Sequence, residues 1–343
     1  MSRPEAARND QNGPPALRRS DEGRQEGAEH ALSYDTTVPR ALVHRAAVAE
    51  VFLTDSRQVG ENRYDIAAQL PRAHIMGERS GRHDFLLLVE VLRQSGVLIA
   101  HTYEGVSLED SFIFRRLEVK IENLAALRSL DRPARAVITM DCIPRKKRNG
   151  RTNSLDFTGA LAIEGHTALV FNGGLAFFNR SAYRALRRRQ RAALADSVGI
   201  LPSYVAAHPS VVGRRDPYNV VITQPSTVGE SALAATVLTD LTHPHLFDHQ
   251  LDHIPGNLLL EAARQMAVAS VASMHSTSPD GLQVASLEVR FREFAELDLP
   301  TRAVAHVQQF RLDEGLGALV VPVEVGIRQR DQIVATVRLE VAQ

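Results

Sequence analysis

Apolar and polar residues along the chain follow two rhythms, and the order of those rhythms occurs twice. Over 43–53 and 63–69 they alternate with the two-residue period of strands, and Gly60-Glu61-Asn62 supplies turn chemistry between them. A loop over 71–82 leads to a long apolar stretch that starts after Asp84, a residue able to cap a helix, and runs to about His101. Strand-like runs follow at 112–121, 134–142, 154–163 and 168–178, with a basic turn at 144–150. An Arg-rich helix over 181–195 interrupts the pattern, which then restarts. Strands are predicted at 219–223 and 233–238, then a His-rich loop at 242–253 and a helix from Pro255 to about His275. Strands at 284–294, 301–310, 318–327 and 332–341 complete the second round. One long helix followed by four antiparallel strands predicts an α+β unit, a sheet wrapped around a central helix.

The duplication reaches individual residues. Glu90-Val-Leu-Arg93-Gln94 and Glu261-Ala-Ala-Arg264-Gln265 both read E-x-x-R-Q and stand 171 residues apart. Val59-Gly60-Glu61 matches Val228-Gly229-Glu230, His74 matches His245, and Leu117 to Ile121 matches Leu287 to Phe291. Arg135-Ala136-Val137 matches Arg302-Ala303-Val304. A period near 170 residues is too long for a solenoid and marks a duplicated domain. The expected organisation is a disordered polar tail (1–40), a first unit (41–180), a basic connector (181–214) and a second unit (215–343).

Composition removes several classes of function. The 343 residues carry 40 basic and 40 acidic side chains, so no overall field attracts nucleic acid or an anionic membrane. The longest apolar stretches contain Glu, Arg and Gln and are not expected to span a membrane. The first 40 residues hold no apolar h-region, so the expected location is the cytoplasm. One cysteine, Cys142, excludes an internal disulfide framework.

The candidate chemistry sits on the two helices and the loop before the second. In a helix, i, i+3 and i+4 share a face, so Glu, Arg and Gln of each motif project together from a greasy segment. Such a trio is either an internal ion pair or a site. A carboxylate buried at such a place is expected to have its pKa raised toward neutrality and to serve as a base. His245, His249 and His253 are spaced by four, which on a helix would present a metal face. Pro244 and Pro255 argue for a loop, so no metal or other cofactor is expected, and His249 and His253 are the catalytic or positioning candidates.

These residues carry a resemblance. The segment from His243 to Gln265, with Phe247-Asp248-His249, Asp252-His253, Pro255-Gly256 and Glu261-Ala-Ala-Arg264-Gln265, is similar to the signature of the AfsA-like family. The first half resembles it through His74, His83-Asp84 and Glu90 to Gln94. The resemblance covers about residues 41 to 343 and implies a tandem, or double, hotdog fold and a role in γ-butyrolactone-type (or butenolide or furan) signal biosynthesis. It implies transfer of a 3-oxoacyl group from acyl carrier protein (ACP) to the hydroxyl of dihydroxyacetone phosphate. The second helix also looks like that of hotdog acyl-ACP dehydratases, but Phe247 stands where their catalytic His falls, which puts a dehydratase mechanism in doubt. The expected catalytic residues are Glu261, Glu90, His249 and His253, and the expected substrate-binding residues are Arg264, Arg93, Gln265, Gln94 and Gly256. Arg264 or Arg93 would anchor phosphate, and the helix start after Gly256 would supply oxyanion donors. The rival expectations are a thioesterase or dehydratase on the same fold, and a non-catalytic acyl- or butyrolactone-binding protein. Hotdog units pair, so one chain forms either a monomer with an internal pseudo-dimer or a homodimer. The basic connector and the run over 145–148 are candidate contacts for the acidic carrier protein.

Overall fold

The long helices form where the apolar stretches are continuous. α1 (Phe85–Thr102) is capped by Asp84, whose carboxylate accepts from Leu86 N at 2.9 Å. A second helix, α2 (Arg180–Ala192), starts at an Asn179 cap and buries no residue. α3 (Gly256–His275) begins after Pro255 and ends where Ser276 turns left-handed at φ 50. The computed structural model describes residues 31–78, 80–146, 150–194, 203–229 and 232–343. Most of the expected tail, Lys147, Arg148, Glu230 and residues 195–202 of the expected connector lie outside the described residues. α1 has the length and composition of a membrane span, but it is the buried core helix of its unit.

Among the described residues, thirteen strands make one antiparallel sheet around α1 and α3. The first half contributes β1 (Leu53–Gly60), β2 (Arg63–Leu70), β3 (Ser111–Ile121), β4 (Ala134–Lys146), β5 (Thr152–Ile163) and β6 (His166–Phe178). The second contributes β7 (Ser226–Thr227), β8 (Ala232–Val237), β9 (Gln283–Phe291), β10 (Thr301–Val307), β11 (Arg311–Asp313), β12 (Ala318–Gln329) and β13 (Gln332–Ala342). Their order is β1-β2-β4-β5-β6-β3-β9-β13-β12-β10-β8-β7, with β11 beside β12, so the second half repeats the first in reverse. The seam is β3 against β9, with Glu118 directly opposite Glu288. These are matching residues of the internal repeat, so a pseudo-two-fold axis passes between them. Like charges opposed across a sheet repel; Asn172 bonds Glu118 at 2.7 Å and Arg290 bonds Glu288 at 2.9 Å.

Two strand expectations fail for one reason. Residues 43–53 are two short 3-10 turns followed by the start of β1, and 219–223 follow another such turn. Both segments wrap the helices and turn polar side chains inward, and their spacing imitates a strand. Part of the expected tail packs on the first unit: Ser33 N donates to Asp55 at 2.9 Å and Val38 N to Leu53 O at 3.0 Å. At the other boundary, Ala206 pairs with Thr223 and Arg214 is buried, so the end of the expected connector belongs to the second unit.

Candidate active site

Each E-x-x-R-Q motif surrounds a fully buried carboxylate with donors. Glu90 accepts from Arg45 Nε at 2.9 Å, Arg93 Nε at 2.7 Å, Gln94 Nε2 at 2.7 Å and Asn257 Nδ2 at 2.9 Å. Glu261 accepts from Arg214 Nε at 2.8 Å, Arg264 Nε at 2.9 Å and Gln265 Nε2 at 2.7 Å. Each Gln closes a second ring of bonds: Gln94 receives Phe52 N and donates to Glu50 O, while Gln265 receives Val221 N and donates to Asn219 O. Burial alone would raise both glutamates, but Arg45 and Arg93, and Arg214 and Arg264, hold them well below the usual carboxylate range. The expectation of a raised carboxylate pKa is therefore corrected: the arginines win.

The bond pattern fixes which residues correspond between halves. Arg45 Nη1 donates to His245 O and Arg214 Nη1 donates to Met76 O, each at 2.9 Å. His74 receives Met76 N on Nδ1, and His243 receives His245 N on Nδ1, each at 3.3 Å. The structural partner of His74 is thus His243, a correction to the sequence pairing with His245, whose counterpart is Met76. Glu50 correspondingly matches Asn219.

That asymmetry places titratable chemistry at one of the two equivalent sites. His245 Nδ1 lies 2.7 Å from Glu50 Oε2. His74 and His245 both hydrogen-bond Glu50, and although burial would raise its pKa, they bring it down to about 2. An ionised Glu50 can only accept, so His245 carries its proton on Nδ1 and leaves a lone pair on Nε2. His245 Nε2 is buried and has no hydrogen-bond partner in the structure. Burial lowers the pKa of His245, which keeps the imidazole neutral.

A cavity of about 560 Å³ lies against His245. Its walls come from the middle of α1, the loop before α3, the start of α3 and the facing ends of β3 and β9. His245, Arg93, His249, His253, Gly256 and Asn257 line it, beside an apolar surface that includes Phe112, Phe114 and Leu259. The first N–H groups of α3 have no intrahelical acceptor and stand at this wall. A Cβ at Gly256 would come within 3.2 Å of Phe291 Cζ, so a larger residue would crowd the entrance of the helix.

The predicted residues therefore divide. Arg93, His249, His253 and Gly256 meet at the cavity. Glu90 and Gln94 stand behind Arg93, while Glu261, Arg264 and Gln265 form the second buried cluster, away from the cavity lining. His249 is a partly exposed residue with a long 3.5 Å contact to Asp248, and His253 bonds Asp252 at 2.7 Å. Glu50 escaped the sequence reading because nothing local distinguishes it; its partners lie 24 and 195 residues away. His245 was visible in the His-rich loop but indistinguishable there from its neighbours. Glu50, His74 and His245 also bring one ligand atom each within 4.8 Å of one another, which is compatible with a small cation. The two imidazoles already satisfy the Glu50 carboxylate.

A family model, the A-factor biosynthesis hotdog domain AfsA, matches residues 27–172 and again 195–342. A protein of Streptomyces virginiae named 2-oxo-3-(phosphooxy)propyl 3-oxoalkanoate synthase is 35% identical over 266 residues, 77% of this chain and 85% of that protein. A protein of the same name from Streptomyces coelicolor is 30% identical, covering 77% and 80%. Among solved structures, a Lactobacillus plantarum protein described as an oleoyl thioesterase aligns with TM-score 0.50 and 10% identity over 83% of this chain and 98% of its own. That likeness concerns the fold alone.

Proposed function

The chain belongs to the AfsA family of A-factor biosynthesis hotdog proteins, and from that membership we propose that it is a cytoplasmic acyltransferase. It moves a 3-oxoacyl group from ACP to the hydroxyl of dihydroxyacetone phosphate, giving a 2-oxo-3-(phosphooxy)propyl 3-oxoalkanoate, the ester for which the relatives are named. The observation that carries the reading is the unpartnered His245 Nε2 on the cavity wall, with its Nδ1–H on Glu50. His245 Nε2 takes the hydroxyl proton as the oxygen attacks the thioester carbonyl. Glu50 stabilises the imidazolium that results. The N–H groups at the start of α3, at Gly256 and Asn257, receive the oxyanion. As the tetrahedral intermediate collapses, the C–S bond breaks, the ester remains, and the imidazolium returns the proton to the thiolate.

The other residues hold this arrangement. Arg93 bonds Glu90 through Nε and Nη2, which leaves Nη1 for the phosphate of the acceptor. Glu90 joins Arg93 to Asn257 of the other half, and Glu261 fixes α3 through Arg264 and Arg214; both are positioning residues. His249 and His253 flank the entrance. The carrier is received at α2, where Leu186 and Gln190 line the cavity while Arg184, Arg188 and Arg189 are exposed. None of the ion pairs among the described residues uses those three arginines, so they remain available to an acidic surface.

The test is incubation of the protein with 3-oxoacyl-ACP and dihydroxyacetone phosphate, following the mass of the ester. His245→Ala and Glu50→Gln should each lower the rate by roughly 10²- to 10⁴-fold without unfolding the protein, and a chelator should leave it unchanged. Free 3-oxo acid formed without the acceptor would favour a thioesterase. Stoichiometric retention of the acyl chain without turnover would favour a binding protein.

A further inference from the structure

The cavity wall holds a further imidazole, that of His44, to which this reaction gives no part. His101 Nδ1 lies 2.8 Å from Val106 O, and a carbonyl can only accept, so His101 carries its proton there. His101 Nε2 is then the acceptor in its 2.8 Å contact with His44 Nε2. His44 donates from Nε2, and its Nδ1 is left as a lone pair. The ring stands edge-on to Phe112 at 4.7 Å and lines the cavity. Burial first, and then Arg93, His101 and His249, lower its pKa to about 3, so it stays neutral.

The backbone at His44 is left-handed, at φ 53, where side chains are disfavoured. The matching residue in the second half is Gly213, at φ 64, and the turns correspond: Arg45 N bonds Arg40 O at 3.1 Å and Arg214 N bonds Pro209 O at 3.0 Å. At Gly213 a Cβ would meet Val268 Cγ1 at 3.1 Å and Pro279 O at 3.3 Å, so the second half has little room for a side chain. His101 likewise stands where the second half has Ala272. The strained histidine and its supporting partner occur in the half whose helix brings its middle, at Val89, Arg93 and Val97, to the cavity.

We propose that His44 is a positioning residue whose Nδ1 accepts a hydrogen bond from the amide N–H of the pantetheine arm that carries the acyl thioester. The inference rests on the acyl-transfer reading. The 3-oxo group, the thioester carbonyl and the ionised phosphate only accept hydrogen bonds. The donors near the reacting carbonyl are the acceptor hydroxyl, which gives its proton to His245, and the amide N–H two carbons from sulfur. An acceptor-only imidazole suits the second.

Two small donors test this: a 3-oxoacyl N-acetylcysteamine thioester, which has the amide, and the matching propyl thioester, which lacks it. The wild-type protein should prefer the first by about three- to tenfold in kcat/KM, the range of one neutral hydrogen bond. His44→Gly installs the residue that the second half uses at this conformation, so it should fold and lose the preference. His44→Asn tolerates the left-handed backbone and offers an oxygen near the place of Nδ1, so it should retain most of it. A preference unchanged in His44→Gly, or equally lost in both variants, overturns the proposal. If the wild-type protein turns over neither thioester, the acyl-transfer reading fails by itself. Calorimetric binding of the same two compounds then reads His44, with the same pattern expected.

Discussion

At Glu90 and Glu261 the sequence shows which groups share a helix face but not the charges that arrive from elsewhere. Arg45 and Arg214 reach those glutamates from 45 and 47 residues away and turn candidate bases into anchored anions. Removing the charge at Glu261 would leave Arg264 without its buried counter-ion and Arg214 with Asp84 alone. Glu261→Gln should therefore destabilise the fold by roughly 3–5 kcal/mol, visible as a large fall in denaturant midpoint. An unchanged midpoint would contradict the anchoring role. The base at His245 predicts a pH profile. Burial lowers its pKa below the ordinary 6.5, so the neutral, active form persists on the acid side of that value. kcat/KM should stay level down through pH 6.5 and fall at lower pH. The Glu50 hydrogen bond raises the His245 pKa against burial, so Glu50→Gln should move the fall lower still while reducing the plateau. A profile that breaks above pH 6.5 would remove His245 as the base.

Among the elements, the central helices and the long strands could be read from periodicity because their burial is set by near neighbours in sequence. Asp84 caps α1 and Pro255 precedes α3 where expected. The segments at 43–53 and 219–223 could not be read that way, because the helix motifs of their own half hold them and only their ends reach neighbouring strands, Phe52 O at Gln69 N and Ile222 opposite Val237. Gln94 ties the first through Phe52 N and Glu50 O, and Gln265 ties the second through Val221 N and Asn219 O. α2 has the opposite character: Arg187 and Arg191 pair with Asp252, Glu296 and Asp298, while its other face stays open. The triple change Arg184→Ser, Arg188→Ser, Arg189→Ser should raise KM for the ACP-bound donor by about tenfold at low salt. It should leave an N-acetylcysteamine donor unaffected. Equal loss with both donors would show that α2 supports the fold instead of receiving the carrier.

The whole molecule pairs its own halves. β3 joins β9 at the pseudo-two-fold axis, and Asn257, Arg214 and the Glu50–His245 contact cross between units. Because the seam is already filled within one chain, light scattering should give a monomer near 37.7 kDa. A stable dimer would place a further interface elsewhere. The first half expressed alone should lack activity, since it would contain Glu50 and Arg93 without His245 or the start of α3. Co-expression of the two halves should restore activity if the seam reforms.

The duplication, the α+β plan, the two long helices and the polar trios on them are determined by the chain itself, because they depend on short-range periodicity and on repetition within one sequence. Arg93, His249, His253 and Gly256 were legible as candidates, and the structure gathers them at one cavity. The difference between the two half-sites was decided by tertiary structure. Glu50, His44 and His245 have no distinguishing local pattern, and only the fold shows that Asn219, Gly213 and Met76 take the equivalent places in the opposite half. A lone pair left open on a buried imidazole depends on partners far apart in sequence, and no local pattern encodes that distance.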